Sequence, residues 1–119
     1  MPENINTQKT IIKEWAKINL AGNNYLSPIG LIHITMTGIK ETLNQPHKFK
    51  RQKDIAIYIL PSLLKNSKYV GSAADLKGKV KEYHYLEVVI AKRESYIVIK
   101  ETWENTKHFY SIVDRLKEK

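Results

Sequence analysis

The chain contains no cysteine, which removes disulfides, thiolate metal sites and cysteine nucleophiles from consideration. Stability must come from packing, and any catalysis from nitrogen and oxygen groups. Long hydrophobic runs are also missing. No segment approaches the roughly 18 apolar residues of a membrane span, so no membrane is expected among the partners. The opening Met1-Pro2-Glu3-Asn4 has neither the basic nor the apolar region of a secretory leader, and a cytoplasmic protein is expected. No glycine-rich loop follows a strand, no HExxH motif or close carboxylate pair occurs, and there is no G-x-S-x-G elbow. These absences predict no metal, no nucleotide cofactor and no serine-hydrolase chemistry.

What is abundant is positive charge. Twenty Lys and Arg against twelve Asp and Glu give +8 at neutral pH, a balance that favours polyanions through phosphate neutralisation and counterion release. RNA, DNA, anionic lipid and an acidic protein all satisfy that balance. With 119 residues, 42% of them hydrophobic, the chain is expected to form one domain, residues 1–119, around a single core.

Hydrophobic periodicity divides the chain in two. Ile12, Trp15, Ala16 and Leu20 mark one face of a helix over residues 7–20, with Trp15 as its anchor. Residues 23–30 read as loop, and residues 32–36 as a short strand with His33 on its non-apolar side, exposed at an edge or used at a site. A helix over residues 38–44, capped by Thr37, stops before Pro46. Residues 53–65 carry a broad apolar face interrupted by Pro61, which either starts a second helix or kinks a longer one. From residue 68 onward the period falls to 2: a short strand near Tyr69, then residues 82–91, 95–101 and 107–113. In the first of these three, His84, Leu86, Val88 and Ile90 share one side; in the last, Phe109, Ser111 and Val113 lie opposite His108, Tyr110 and Ile112. Short links predict an antiparallel meander extended by the Tyr69 and Ile32 strands. Helices first and sheet afterwards make an α+β fold.

The chemically densest stretch follows the Pro46 break. His47 titrates near neutrality and lies among Lys48, Lys50, Arg51 and Lys53, a group suited to a phosphodiester. Metal-free RNA cleavage needs a base for the 2′-hydroxyl, an acid for the leaving 5′-oxygen and cations for the phosphorane. His47 can serve as base or acid, with Lys48, Lys50 and Arg51 holding phosphate. His84 and His108 are candidates for the second proton carrier, and Tyr83, Tyr85 and Tyr110 can stack or donate. By pattern alone His84 heads an aliphatic face and reads as a hydrogen-bonded core histidine, the tyrosines as packing pairs and Ser111 as strand filler.

Several blocks together resemble a known family: Glu14-Trp15-Ala16-Lys17, Gly38-Ile39-Lys40-Glu41, Asn44-Gln45-Pro46-His47-Lys48, Leu64-Lys65-Asn66-Ser67-Lys68-Tyr69, Tyr83-His84-Tyr85-Leu86-Glu87 and Phe109-Tyr110-Ser111-Ile112-Val113-Asp114. In this order they are similar to the phage-associated barnase-EndoU-colicin-RelE-like nuclease domains of polyvalent phage and mobile-element proteins and polymorphic toxins. The resemblance implies helices packed on one face of an antiparallel sheet and a metal-independent endoribonuclease or ribonuclease-like toxin, with transfer RNA among its targets. An acidic immunity or antitoxin protein is the implied partner. It points to His47, His84 and Ser111 as catalytic positions, with Lys48, Lys40 and Tyr85 binding substrate. A non-catalytic RNA-binding module using the same cations is the alternative. An immunity protein is disfavoured, since a partner of basic nucleases is expected to be acidic.

Overall fold

The computed structural model describes residues 5–45, 47 and 49–114. Helix α1 (Ile5–Asn19) buries Ile12 and Ala16 together with Leu20 just beyond its end, and Trp15 packs edge-on against Tyr58 with ring centroids 4.7 Å apart. The segment expected to be a loop instead forms a hairpin, β1 (Asn24–Ser27) and β2 (Gly30–His33). Its turn is held by the Ser27 hydroxyl, which accepts from the Ile29 N–H at 3.2 Å and donates to the Gly30 carbonyl at 2.9 Å.

Helix α2 (Met36–Asn44) starts two residues earlier than the sequence suggests, because Thr35 supplies the cap: its hydroxyl accepts from the Gly38 N–H at 3.1 Å. It stops at Gln45, whose extended backbone (φ −75°, ψ 138°) is the conformation favoured before a proline. Helix α3 (Lys50–Ile55), a 3-10 turn (Ala56–Ile59) and helix α4 (Leu60–Asn66) follow, with Pro61 in the first turn of α4. Ile57, Leu60 and Leu64 are fully buried, whereas Ile55 and Ile59 are about half exposed. The tighter winding of the 3-10 turn rotates these two out of the apolar stripe that a continuous helix would have kept together.

Strands β3 (Lys68–Ala74), β4 (Glu82–Ile90), β5 (Arg93–Glu101) and β6 (Lys107–Val113) complete a six-stranded sheet of order β1-β2-β6-β5-β4-β3. The β4–β5 link places Ala91 and Lys92 at positive φ (52° and 64°), as a tight hairpin turn matched to strand twist requires. Every pairing is antiparallel except β2 with β6, which run parallel and meet at the single pair His33–His108. The fold is α+β, as expected.

One sheet face carries Leu86, Val88, Ile90, Ile97, Ile99, Phe109 and Ile112, which join Ile12, Ala16, Ile39, Leu43, Ile57, Leu60 and Leu64 in one buried cluster. A bulge in β6 breaks the simple alternation expected there. Ile99 pairs with Phe109 and Val98 with Ser111, so Tyr110 is the extra residue and Ile112, not Ser111, returns to the helix-packed face.

Beyond its one bridge to β2, strand β6 is flanked by α2. The helix comes so close at Gly38 that a Cβ there would strike the Phe109 backbone carbonyl. Backbone cannot swing aside as a side chain can. Gly38→Ala should therefore destabilise the protein by about 1–3 kcal/mol or more, read by urea denaturation; a cost near the few tenths expected of an exposed helical position would show that α2 is not pinned there.

Candidate active site

The histidines define three separate centres. In the first, His47 Nδ1 accepts the Phe49 N–H at 2.8 Å, so the ring is neutral with its proton on Nε2, which donates to Ser95 Oγ at 2.9 Å. Ser95 is fully buried and donates onward to the Arg93 carbonyl at 3.3 Å. Burial pushes the His47 pKa below the usual imidazole range; Asp114 opposes this, and Lys53 and Arg93 add to it. Arg93 Nε lies 3.4 Å from Asp114 without hydrogen-bond geometry, so this ion pair is held by charge alone. Both His47 nitrogens are occupied by the protein, tying His47 to β5 and to the Phe49 backbone.

The cations after His47 also turn inward. Lys53 is completely buried and donates to the carbonyls of Thr42 and Gln45, the latter at 2.7 Å, with buried Asp54 3.2 Å away. Lys50 donates to the Leu43 carbonyl and pairs with Asp54 at 3.3 Å. Two ammonium groups thus cap the C-terminal carbonyls of α2, where the helix dipole favours positive charge. Burial lowers the Lys53 pKa to about 8 against the pull of Asp54, leaving it charged at neutral pH. Arg51 remains exposed, and Lys48 lies outside the described residues.

The second centre is His84, on the helix-packed face but at its far end. Its Nε2 donates to Glu101 at 2.7 Å and lies 3.3 Å from Glu82, while Nδ1 faces the Tyr69 hydroxyl at 3.3 Å. Lys81 and Lys107 approach Glu101 at 3.7 and 3.9 Å. The His84 hydrogen bond holds the Glu101 carboxyl below its ordinary range, overcoming burial, with Lys107 and Lys81 assisting. Glu82, His84 and Glu101 offer three convergent donor atoms of the kind that hold a divalent cation, and the two lysines already supply competing charge. His47 reaches Ser95 near the start of β5 and His84 reaches Glu101 at its end, roughly 20 Å apart at about 3.3 Å per residue. The structure does not bring them together. Ser111, 2% exposed, pairs with Val98 on the opposite sheet face.

That opposite face holds the third centre. A register row crosses all six strands: Asn24, His33, His108, Lys100, Tyr83 and Ala73. None of these belongs to the helix-packed core. The rings of His33 and His108 meet edge-on with centroids 5.5 Å apart. His33 Nδ1 bonds Asn24 Oδ1 at 2.9 Å and His108 Nε2 bonds Thr106 Oγ1 at 3.0 Å, so each ring keeps its other nitrogen without a hydrogen-bond partner among the described residues. Burial depresses the His108 pKa, with further lowering by His33 and Lys100. Lys100 Nζ sits 5.4 Å above the Tyr110 ring, and Tyr110 packs 5.8 Å from Tyr83. Tyr85 and Ser111 occupy the neighbouring row of this face through Val98. Lys40 stands apart, in a groove between α1 and α2.

A family model for the large polyvalent protein-associated domain 3 matches residues 3–110. The chain belongs to that family. No curated protein and no solved structure matches it.

Family membership leaves chemistry to the side chains; the sequence pattern marks His33 only as exposed at an edge or used at a site, and does not mark Lys100. Strand parity puts His33 on the non-apolar side of its strand, and His108 and Tyr110 on one side of theirs together with Ile112. The missing piece was the parallel β2–β6 bridge, which joins histidines from distant parts of the chain.

His47 accounts for one pH effect. Its neutral form is favoured in the folded state, so its contribution is complete above the unfolded value of about 6.5 and is lost as pH falls from there toward the lower folded value. His47→Ala should cost about 1–3 kcal/mol at pH 7.5, with a smaller gap from wild type at pH 5.5, both measured by urea denaturation. An unchanged gap would contradict the neutral ring.

Proposed function

We propose that this protein is a metal-independent endoribonuclease that cuts single-stranded RNA on the open face of its sheet. The observation that carries this reading is the His33–His108 pair, two partly exposed imidazoles in edge contact, each with one ring nitrogen available. The reaction needs one base and one acid, and two adjacent imidazoles can supply one each. His108, whose pKa is depressed, is the base.

In the proposed cycle His108 Nδ1 takes the proton of a 2′-hydroxyl, the 2′-oxygen attacks the adjacent phosphorus, and a bond from phosphorus to the 2′-oxygen forms. The bond to the 5′-oxygen breaks, and protonated His33 delivers its Nε2 proton to that leaving oxygen. A 2′,3′-cyclic phosphate and a 5′-hydroxyl result. Lys100 lies beside His108 in the register row and offsets charge on the phosphorane. Tyr110 and Tyr83 offer rings on which the flanking bases stack. Net charge of +8 and the resemblance to metal-free ribonuclease domains support the same reading. The binding-only alternative uses the same band of residues without the proton transfers.

Transfer RNA and a panel of single-stranded RNAs, incubated with the protein in EDTA, should yield 2′,3′-cyclic phosphate ends. His33→Ala and His108→Ala should each lower kcat by about 10²-fold or more, with a bell-shaped pH dependence in wild type. Binding without cleavage in wild type would favour the binding-only module, and cleavage indifferent to both substitutions would overturn the assignment.

A further inference from the structure

A groove of about 340 Å³ runs between α1 and α2, lined by Lys9, Thr10 and Lys13 from the first helix and Lys40, Leu43 and Asn44 from the second. Its chemistry follows from helix periodicity. Lys9 and Lys13 are one turn apart, as are Lys40 and Asn44, so each helix presents a rung of two polar side chains to the same cleft. Leu43 is 3% exposed and closes the floor into the core.

No carboxylate lines this groove, and none of its three lysines takes part in an ion pair among the described residues. This contrasts with Lys50 and Lys53, consumed by Asp54 and the α2 carbonyls. Three lysines line one concave cleft with no carboxylate among its lining residues, and the helical rise sets residues four apart about 6 Å apart along each helix axis. That spacing suits the successive phosphates of an extended strand.

We infer that the α1–α2 groove is a subsite for the phosphodiester backbone of single-stranded RNA. The identity of the polymer rests on the endoribonuclease reading; the anion site itself rests on the groove. Its concavity fits a strand better than a flat membrane, and Asn44 adds a hydrogen-bonding amide that an extended backbone can use. Helix α2 connects the groove to the open sheet face: Lys40 lies in the groove, and the adjacent Glu41 is near enough to Tyr110 to raise that phenol's pKa alongside burial. A bound strand can therefore pass over one helix from the groove to the histidine pair.

The test measures binding of a fluorescent oligodeoxynucleotide analogue of the RNA, which lacks 2′-hydroxyls and cannot be cut by this chemistry, across a salt series. The variant K9A/K13A/K40A should bind at least about 10-fold more weakly than wild type and lower the slope of log K against log salt by about 2, since each lost phosphate contact removes about 0.7. A control variant, K77A/K79A/K92A, removes three exposed lysines elsewhere and should leave the slope near that of wild type, with thermal melts confirming that both are folded. An unchanged slope in the groove variant, or an equal loss in the control, would overturn the subsite. So would a groove variant that loses binding only to vesicles containing anionic lipid. Because the probe cannot be cleaved, a groove-dependent slope with no RNA cleavage would sink the nuclease reading and leave the anion site, while cleavage with an unchanged slope would do the reverse.

Discussion

The close approach of α2 to β6 at Gly38 is the constraint on which the arrangement of this protein turns. Strand β2 is only four residues long, and only two residues separate His33 from the start of helix α2. The helix must lie along the β6 edge that β2 has vacated. Only a residue without a Cβ lets the two backbones come together there. That contact holds the hairpin against the sheet and puts His33 beside His108. It also turns one side of α2 toward α1, opening the groove, and leaves Glu41 near Tyr110.

A second constraint is electrostatic. Helix α2 ends in the interior, where its last carbonyls have no water, and Lys50 and Lys53 satisfy them from α3 with Asp54 balancing the charge. Burying an ammonium is costly, as the lowered Lys53 pKa shows. The cluster closes off the carbonyl end of α2, and a buried ion pair of this kind is weak evidence of added stability. The run of cations after Pro46 reads as a phosphate-binding surface in sequence, yet two of its members are internal struts.

Sequence reasoning succeeded where periodicity governs. The face of β4 with Leu86, Val88 and Ile90, the stripe of α1 and the stop before Pro46 each follow from local rules that the structure keeps. It faltered where one residue changes the count. The bulge at Tyr110 returns Ile112 to the core, the 3-10 turn exposes Ile55 and Ile59, and the Ser27 hydroxyl makes a hairpin from residues that look like loop. A site is harder still to read, because composition cannot say whether a lysine faces water or a helix end. His84 illustrates this: strand parity put it on the buried face, which the structure shows, but the Glu101, Glu82 and Tyr69 contacts come from other strands and have no local signature. His33 is legible on the non-apolar side of its strand and His108 as a candidate proton carrier, and only topology makes them a pair.

The single bridge between β2 and β6 has a consequence for assembly. β4, β5 and β6 are neighbours in sequence and zip together through short loops, whereas the β1–β2 hairpin closes onto the sheet across most of the chain. Contacts of such long sequence separation pay their loop-closure entropy late in folding. Docking of the outer hairpin therefore closes a long loop, and the His33–His108 pair forms only when it docks. Juxtaposition of the two partly exposed imidazoles is, for this topology, the closing of the hairpin onto β6.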